Sequence, residues 1–516
     1  MTAVAAALAR GASERWGDRE CTSLDDDRLT FTQLDTWADQ VARNFIDAGV
    51  APADRVLVLL PNCLEILPAV CAAWRIGAVA TPVVAIYRQH ELRSIVREVQ
   101  PAVVVTAVEF AGRSMCSELD DCFDEIGFQP VVKYATGLNA GQATSWRPFP
   151  GRNEASGPSI SIPMPSEPDA ECLRLYTSGS TSAPKGVRLS STAVIAGALQ
   201  YQRSLDFGPD DVSAVLSPLA HVAGLLGACL VPLTSGIRSV VLRRWNPRAA
   251  VDLIDREKAT WSLGAATFLH DIVKEYDESD RPLHKLHYFV CGGARTPPEL
   301  IERADEHGIK AFRAYGMTEC AGNATFAEPT SSLSRRAHWD GQINPGVDIR
   351  IVDPSGALVA EGEEGVIEIG GAQVMLGYCD PELTAQQMRE GWFDTGDVGR
   401  VSPDGWVQIT GRTKEIINRG GEKFSVKDIE EVLTRHPDVE AAAVIGVHDD
   451  RLGEAVCAYV VPNKGSSSFD PKALADFMIE AHMTKAKIPT EWHQLESLPI
   501  SATGKVQKHL LRQDRS

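Results

Sequence analysis

The sequence predicts an α/β protein, with a large N-terminal domain over residues 1–410 and a small mobile α+β C-terminal lobe over 411–516. Three observations carry that prediction. Between residues 31 and 106, and again between 212 and 291, short apolar runs alternate with segments of helical periodicity, the pattern of buried parallel strands joined by helical crossovers. After Gly341 the texture changes to short alternating strands separated by turn signals such as Asp353-Pro-Ser-Gly356 and Asp404-Gly405. From about residue 426 helix and strand patterns alternate once more, and at 516 residues the chain has room for about three units of ordinary domain size.

Taken in order, the Ala-rich N-terminus predicts a short helix and lacks the charged region and cleavage pattern of a secretory signal. The apolar periodicity then predicts helix over 34–48, strand over 55–60, helix over 63–76, strand over 78–84, helix over 90–99 and strand over 102–106. Residues 139–168 are rich in Gly, Ser and Pro and predict a surface loop. The alternation resumes with strands over 173–176, 212–216, 239–242, 261–265 and 288–291, and helices after His221, over 247–257 and over 268–276. Strands over 348–352, 365–369 and 406–410 form a small β-rich region. The last lobe reads as helix 426–434, strands 439–447 and 454–461, and helix 471–481, with a boundary near 411–414.

With 44% hydrophobic and 23% charged residues the chain carries enough apolar surface to fold, which excludes disorder as its main state. Its 51 basic residues against 69 acidic ones leave a net charge of −18, which repels nucleic acid and anionic lipid. A polyanionic ligand therefore needs a local site. The eleven cysteines are scattered and contain no C-x-x-C pair, which fits a reducing, cytoplasmic compartment. Two apolar stretches, 56–86 and 214–233, are interrupted by Pro61, Glu65, Pro68 and Arg75, and by Pro218, His221 and Pro232. Both read as buried elements rather than membrane spans.

The stretch Leu175-Tyr-Thr-Ser-Gly-Ser-Thr-Ser-Ala-Pro-Lys-Gly-Val187 follows a strand-like run. Consecutive small and hydroxylated residues let backbone N–H groups and the hydroxyls of Thr177, Ser178, Ser180 and Thr181 close around phosphate oxygens, with Gly179 giving the turn room and Lys185 adding a cation. Gly186 and Val187 follow that lysine, so no hydroxyl is placed beside it as in the G-x-x-x-x-G-K-[ST] loop. An ordinary P-loop ATPase is excluded on that ground.

Four further motifs stand at set intervals: Tyr315-Gly-Met-Thr-Glu319, Gly391-Trp-Phe-Asp-Thr-Gly-Asp397, Gly411-Arg-Thr-Lys-Glu415 and Ser501-Ala-Thr-Gly-Lys505. With the phosphate loop they occur in the order and spacing of the adenylate-forming enzymes, the superfamily of acyl-CoA synthetases, peptide-synthetase adenylation domains and firefly luciferase. The chain resembles that superfamily from about residue 31 to 512. The resemblance implies a large N-terminal AMP-binding domain of parallel sheets with helices plus a distorted β-barrel, and a small C-terminal lid that rotates between half-reactions.

The resemblance also implies roles. Gly293, Ala294 and Arg295, in Cys291-Gly-Gly-Ala-Arg295, line the adenine site, on which Tyr315 stacks while Gly316 permits close backbone approach. Thr318 donates to the α-phosphate and Glu319 offers a hard oxygen ligand for Mg²⁺. Asp397 and Arg412 contact the ribose hydroxyls. Lys505 is the adenylation lysine, bridging carboxylate and phosphate as two anions approach, and Lys414 is the hinge. Gly420 and Gly421 leave a channel for the pantetheine thiol of coenzyme A, Arg244 contacts its nucleotide, and His221 gates the acyl carboxylate. Ser182, Ala314 and Asn418 depart from residues common in the family, and Asn418 weakens the expectation of a lysine over the acyl-adenylate.

Amino-acid adenylation domains usually carry an aspartate shortly after the histidine motif, whereas Val222-Ala-Gly-Leu-Leu-Gly-Ala-Cys-Leu230 is wholly uncharged. A buried ammonium without a partner is costly, so amino acids are disfavoured. The remaining candidate lining, Ala265, Ala266, Phe268, Ala314 and Ala321, is small or apolar and suits a fatty, alicyclic or aromatic carboxylate. The expectation is an ATP- and Mg²⁺-dependent acid:CoA ligase, with no nucleic-acid or membrane partner and room for a homodimer. Its rivals are a ligase loading a carrier-protein phosphopantetheine and a non-catalytic nucleotide-binding protein.

Overall fold

The computed structural model describes residues 4–138, 145–152, 167–177, 184–279, 285–293, 296–413, 416–419, 422–449, 453–463, 469–481, 483–501 and 506–513. Its contacts divide the chain into two compact units, one of residues 1–348 with 370–393 and one of 349–369 with 394–516. Residues 349–369 and 394–410 therefore pack with the smaller unit, where the sequence reading groups them with the larger.

In chain order the sheet strands of the larger unit are β1 (Glu20–Leu24), β2 (Asp27–Thr30), β3 (Arg55–Leu59), β4 (Val79–Pro82), β5 (Val103–Ala107), β6 (Val132–Thr136) and β7 (Glu171–Thr177). They continue as β8 (Lys185–Ser190), β9 (Val212–Val215), β10 (Arg238–Val241), β11 (Trp261–Gly264), β12 (Tyr288–Cys291), β13 (Lys310–Arg313) and β14 (Gly377–Tyr378). Among the described residues they build two sheets. The seven-stranded sheet runs β13-β12-β11-β9-β10-β1-β2, parallel from β13 to β1 and closed by the antiparallel β1/β2 hairpin. The eight-stranded sheet runs β14-β8-β7-β4-β3-β5-β6 and ends on the short strand Arg147–Pro148. Its β7-β4-β3-β5-β6 run is parallel, and β7-β8-β14 is antiparallel.

Strands β5, β9 and β11 are buried at every residue, as parallel strands covered on both faces should be. Helix Phe31–Asp47 begins on a capping box in which the Thr30 side chain accepts from the Gln33 N–H and the Gln33 side chain accepts in return. Helix Pro247–Glu257 begins on the Asn246 side chain with proline in its first turn. Part of the expected surface loop is in fact core: Trp146 is 3% exposed and its indole N–H donates to Asp120 at 2.9 Å. Its aromatic bulk outweighs the Gly/Ser-rich composition around it.

In the smaller unit, Val407–Arg412 runs antiparallel to Trp392–Val401. A further sheet takes the order Glu422–Ser425, Ile416–Arg419, Gly453–Pro462, Val439–Asp449, with Glu491–Gln494 paired in parallel to Gly453–Pro462. Helices Val426–Thr434 and Pro471–Glu480 bury Ile429, Leu433, Leu474 and Met478 in one cluster of that lobe. Leu511 of helix Lys508–Gln513 joins another with Cys457, Tyr459 and Leu498.

Candidate active site

The parallel register brings the carboxyl ends of β10, β9, β11, β12 and β13 to one edge, with Val215 opposite Val241, Gly264 opposite Cys291 and Cys291 opposite Arg313. Each strand is followed by a residue the sequence reading singled out. His221 follows β9, Arg244 follows β10, Ala265 to Phe268 follow β11, Gly293 follows β12, and Ala314, Tyr315 and Gly316 follow β13. The chain steps from β9 to β10 on one side and then to β11, β12 and β13 on the other. Ligands of open α/β sheets bind at such a reversal, here at the ends of β9 and β11. Gly264 lets the Phe268 ring pack against the end of β11, since a Cβ there would fall 2.7 Å from Phe268 Cδ2. Ala265, Ala266, Phe268, Ala314 and Ala321 are all less than 9% exposed, and Trp245 lies on the Phe268 ring at 4.2 Å.

His221 caps the short helix Val222–Leu225, its Nδ1 accepting from the Ala223 N–H at 3.4 Å. In the neutral ring the proton therefore sits on Nε2. A π-helical turn, Leu226–Leu230, follows, a distortion that recurs at functional sites. Gly224 is required by packing, because a Cβ would stand 2.0 Å from the Pro218 carbonyl oxygen. Arg244 is exposed on the loop after β10.

Gly293 takes φ of +75°, a left-handed conformation that only glycine adopts without strain. Tyr315 is 7% exposed, and its N–H donates to Thr325 Oγ1 at 2.9 Å and to the Asp340 carbonyl at 3.1 Å. Arg313 in turn donates to Asp340 Oδ1 at 2.8 Å, so a buried ion pair fixes the turn that carries Tyr315. Gly316 does permit a close approach, and what approaches is the chain itself: a Cβ there would stand 2.1 Å from the Gly322 carbonyl oxygen. Thr318 is buried and Glu319 half-buried in the 3-10 turn Thr318–Cys320.

Thr177 faces Lys185 across the β7/β8 hairpin that brackets the phosphate-loop sequence. The Lys185 ammonium stands 5.6 Å over the ring of Tyr378, whose hydroxyl donates to Glu319 Oε1 at 2.9 Å. Tyr378, 4% exposed on β14, was not singled out from sequence; the turn signal Asp380-Pro381 beside it was the available clue. Behind the hairpin Tyr176 donates to Glu98, and burial followed by the Glu98 charge raises its phenol well above the ordinary value, so it stays a donor. Burial pushes the neighbouring Cys379 thiol up to about 12, with Arg174 opposing the rise and Glu98 adding to it. That thiol is unreactive near neutrality.

In the smaller unit Asp397 and Arg412 face each other across the antiparallel register, with Arg412 Nε 2.7 Å from Asp397 Oδ1. The Asp397 side chain is 3% exposed against 57% for Arg412, so the guanidinium both neutralises the carboxylate and reaches solvent. Ser178, Gly179, Ser180, Thr181, Ser182, Ala294, Arg295, Lys414, Gly420, Gly421 and Lys505 lie outside the described residues.

This architecture and set of motifs define an adenylate-forming enzyme. A family model described as AMP-binding enzyme matches residues 9–379, and one for the AMP-binding enzyme C-terminal domain matches 428–505. The chain belongs to the AMP-binding enzyme family, and within it to the acyl-CoA synthetase class of ligases. It is 31% identical over 494 residues to the medium-chain fatty-acid–CoA ligase of Escherichia coli (strain K12), spanning 94% of this chain and 85% of that one. It is 31% identical over 495 residues to the feruloyl-CoA synthase of an Amycolatopsis species, spanning 94% and 93%. The ATP-bound structure of MatB from Rhodopseudomonas palustris superposes with a TM-score of 0.87 at 26% identity, covering 99% of each chain. Among the described residues no helix is long and apolar enough to cross a membrane.

Proposed function

We propose that the protein joins an apolar carboxylic acid, fatty, alicyclic or aromatic, to coenzyme A, using ATP and Mg²⁺ and passing through an acyl-adenylate. The observation that carries this reading is the apolar setting at the ends of β9 and β11. Its candidate lining of Ala265, Ala266 and Phe268 is buried and apolar, and residues 222–230 offer no carboxylate to an ammonium. Names of relatives such as the fatty-acid and feruloyl ligases agree with an acid of this kind.

In this reading Thr177, Ser178, Gly179, Ser180, Thr181 and Lys185 hold the ATP phosphates, and Gly293, Ala294, Arg295 and Tyr315 hold the adenine. Asp397 and Arg412 take the ribose. Thr318 donates to the α-phosphate, Glu319 would be the hard-oxygen donor for Mg²⁺, and the Tyr378 hydroxyl, donating to Oε1, fixes the orientation of that carboxylate. Lys505 stabilises the approach of acid to α-phosphate. Lys414 then serves as hinge for a C-terminal lobe starting near residue 411, and Gly420, Gly421, Arg244 and His221 serve the thiol step. The eleven free thiols fit a reducing cytoplasm.

The test is AMP and pyrophosphate release from ATP and Mg²⁺ across fatty, alicyclic and aryl acids, with and without CoA. Turnover that needs both an apolar acid and CoA is expected. Pyrophosphate release that stalls with CoA but proceeds with a phosphopantetheinylated carrier would replace CoA as acceptor, and preference for a polar acid would overturn the pocket assignment.

A further inference from the structure

Away from the nucleotide-binding motifs, the C-terminal lobe places three metal-ligating side chains on one face of its sheet. Cys457 lies on strand Gly453–Pro462, opposite Glu491 in the parallel register, and His493 lies two residues on, opposite Tyr459. Side chains alternate along a strand, so Glu491 and His493 share a face, and the pairing puts Cys457 on it. One ligand atom from each of the three lies within 4.8 Å of the other two.

The chemistry of the face is one-sided. Cys457 is fully buried, whereas the side chains of Glu491 and His493 are 37% and 43% exposed, so a thiol forms the floor and the other two groups form a rim open to solvent. His493 Nε2 is itself buried and makes no hydrogen bond among the described residues, although Glu491 Oε2 stands 3.8 Å away. A buried ring nitrogen in that position is an unpaid desolvation cost that a cation would relieve. The ring plane is held by stacking on Tyr459 at 4.9 Å, and the Tyr459 hydroxyl donates to the Leu511 carbonyl at 2.8 Å.

We propose that Cys457, Glu491 and His493 form a binding site for a borderline divalent cation of the zinc class. Thiolate, imidazole and carboxylate together suit zinc or cobalt and not magnesium or calcium, which take oxygen ligands. Ligand atoms around a tetrahedral zinc lie about 3.3–3.7 Å apart, so the three side chains close by roughly 1 Å, within reach of torsions at the solvent-facing Glu491 and His493. Binding breaks the Cys457 S–H bond, forms the metal–sulfur bond and releases the proton to solvent; three protein ligands leave a fourth position for water. The ion would cross-link Glu491–Gln494, which ends eight residues before position 502 in the sequence stretch that leads to Lys505, to its neighbouring strand.

The full-length protein, stripped with EDTA, is titrated with Co²⁺ alone and followed by absorbance. The expected result is a near-UV thiolate-to-cobalt band with tetrahedral d–d bands, saturating at about one ion per chain and bleached by Zn²⁺. Cys457→Ser abolishes the charge-transfer band, and His493→Ala and Glu491→Gln each weaken Co²⁺ binding by about tenfold or more at unchanged far-UV circular dichroism. Absence of the band in the parent protein overturns the proposal, as does its persistence in Cys457→Ser. If the buried Cys457→Ser does not fold, the half-buried His493→Ala decides: unaltered cobalt affinity and spectrum reject the site.

Discussion

Tyr378 ties together two groups that belong to different motifs, since its ring lies under the Lys185 ammonium and its hydroxyl holds Glu319. Tyr378→Phe keeps the ring and the contact to Lys185 and removes the hydroxyl that donates to the carboxylate. A hydrogen bond to a charged group is worth about 1.5–3 kcal/mol, so acid-dependent ATP–pyrophosphate exchange should fall about 10- to 100-fold, with a higher Mg²⁺ requirement and an unchanged melting temperature. Exchange that is unaltered across Mg²⁺ concentrations would show the hydroxyl to be idle. The motif residues were legible because small, hydroxylated and charged residues cluster in short runs. Tyr378 was not, because its meaning comes from contacts with distant parts of the chain. Asp397 and Arg412 were each legible as candidates, but only the strand register reveals that they pair with each other.

At the scale of elements, helices and apolar strands were the readable part: 247–257 and 288–291 coincide with Pro247–Glu257 and Tyr288–Cys291. Strand β1 escaped notice because its sequence, Glu-Cys-Thr-Ser-Leu, is too polar to read as buried. Thr22 and Ser23 are nonetheless at most 2% exposed, and Ser239 Oγ donates to Thr22 Oγ1 at 2.9 Å, so hydroxyls satisfy one another inside the sheet. The hairpin β1/β2 is also tied down by charge. Glu257, at the end of helix Pro247–Glu257, accepts from Arg28 of β2 and Arg238 of β10. Burial would raise its carboxyl, but the hydrogen bonds from Arg28, Arg238 and Arg256 prevail and hold it at about 2, against an ordinary 4.5. A depressed carboxylate contributes stability in full above its unfolded value and loses it as the pH falls toward the folded one. Glu257→Gln should therefore lower the urea midpoint at neutral pH, and the gap to the parent protein should narrow below about pH 4.5 and close near pH 2. A gap independent of pH would mean that packing, not charge, holds the hairpin.

For the whole molecule, a change of texture announced two bodies but not which strands of the β-rich region belong to which. Those strands are too short for their own pattern to choose a partner, and long-range packing assigns residues 349–369 and 394–410 to the smaller unit. The proposed reaction divides in the same way, into a step that makes the adenylate and a step that consumes it. A cation is needed only in the first, where carboxylate and α-phosphate repel, so a lysine near the C-terminus can serve that step and be absent from the second. Lys505→Ala should reduce adenylate formation from acid and ATP by at least about 100-fold, while thioester formation from preformed acyl-adenylate and CoA stays within about threefold of the parent. The two half-reactions are measured separately, by pyrophosphate release and by consumption of synthetic acyl-adenylate. Equal loss in both would mean that Lys505 acts through binding or folding common to the two steps, and the separation of roles between the units would fail with it.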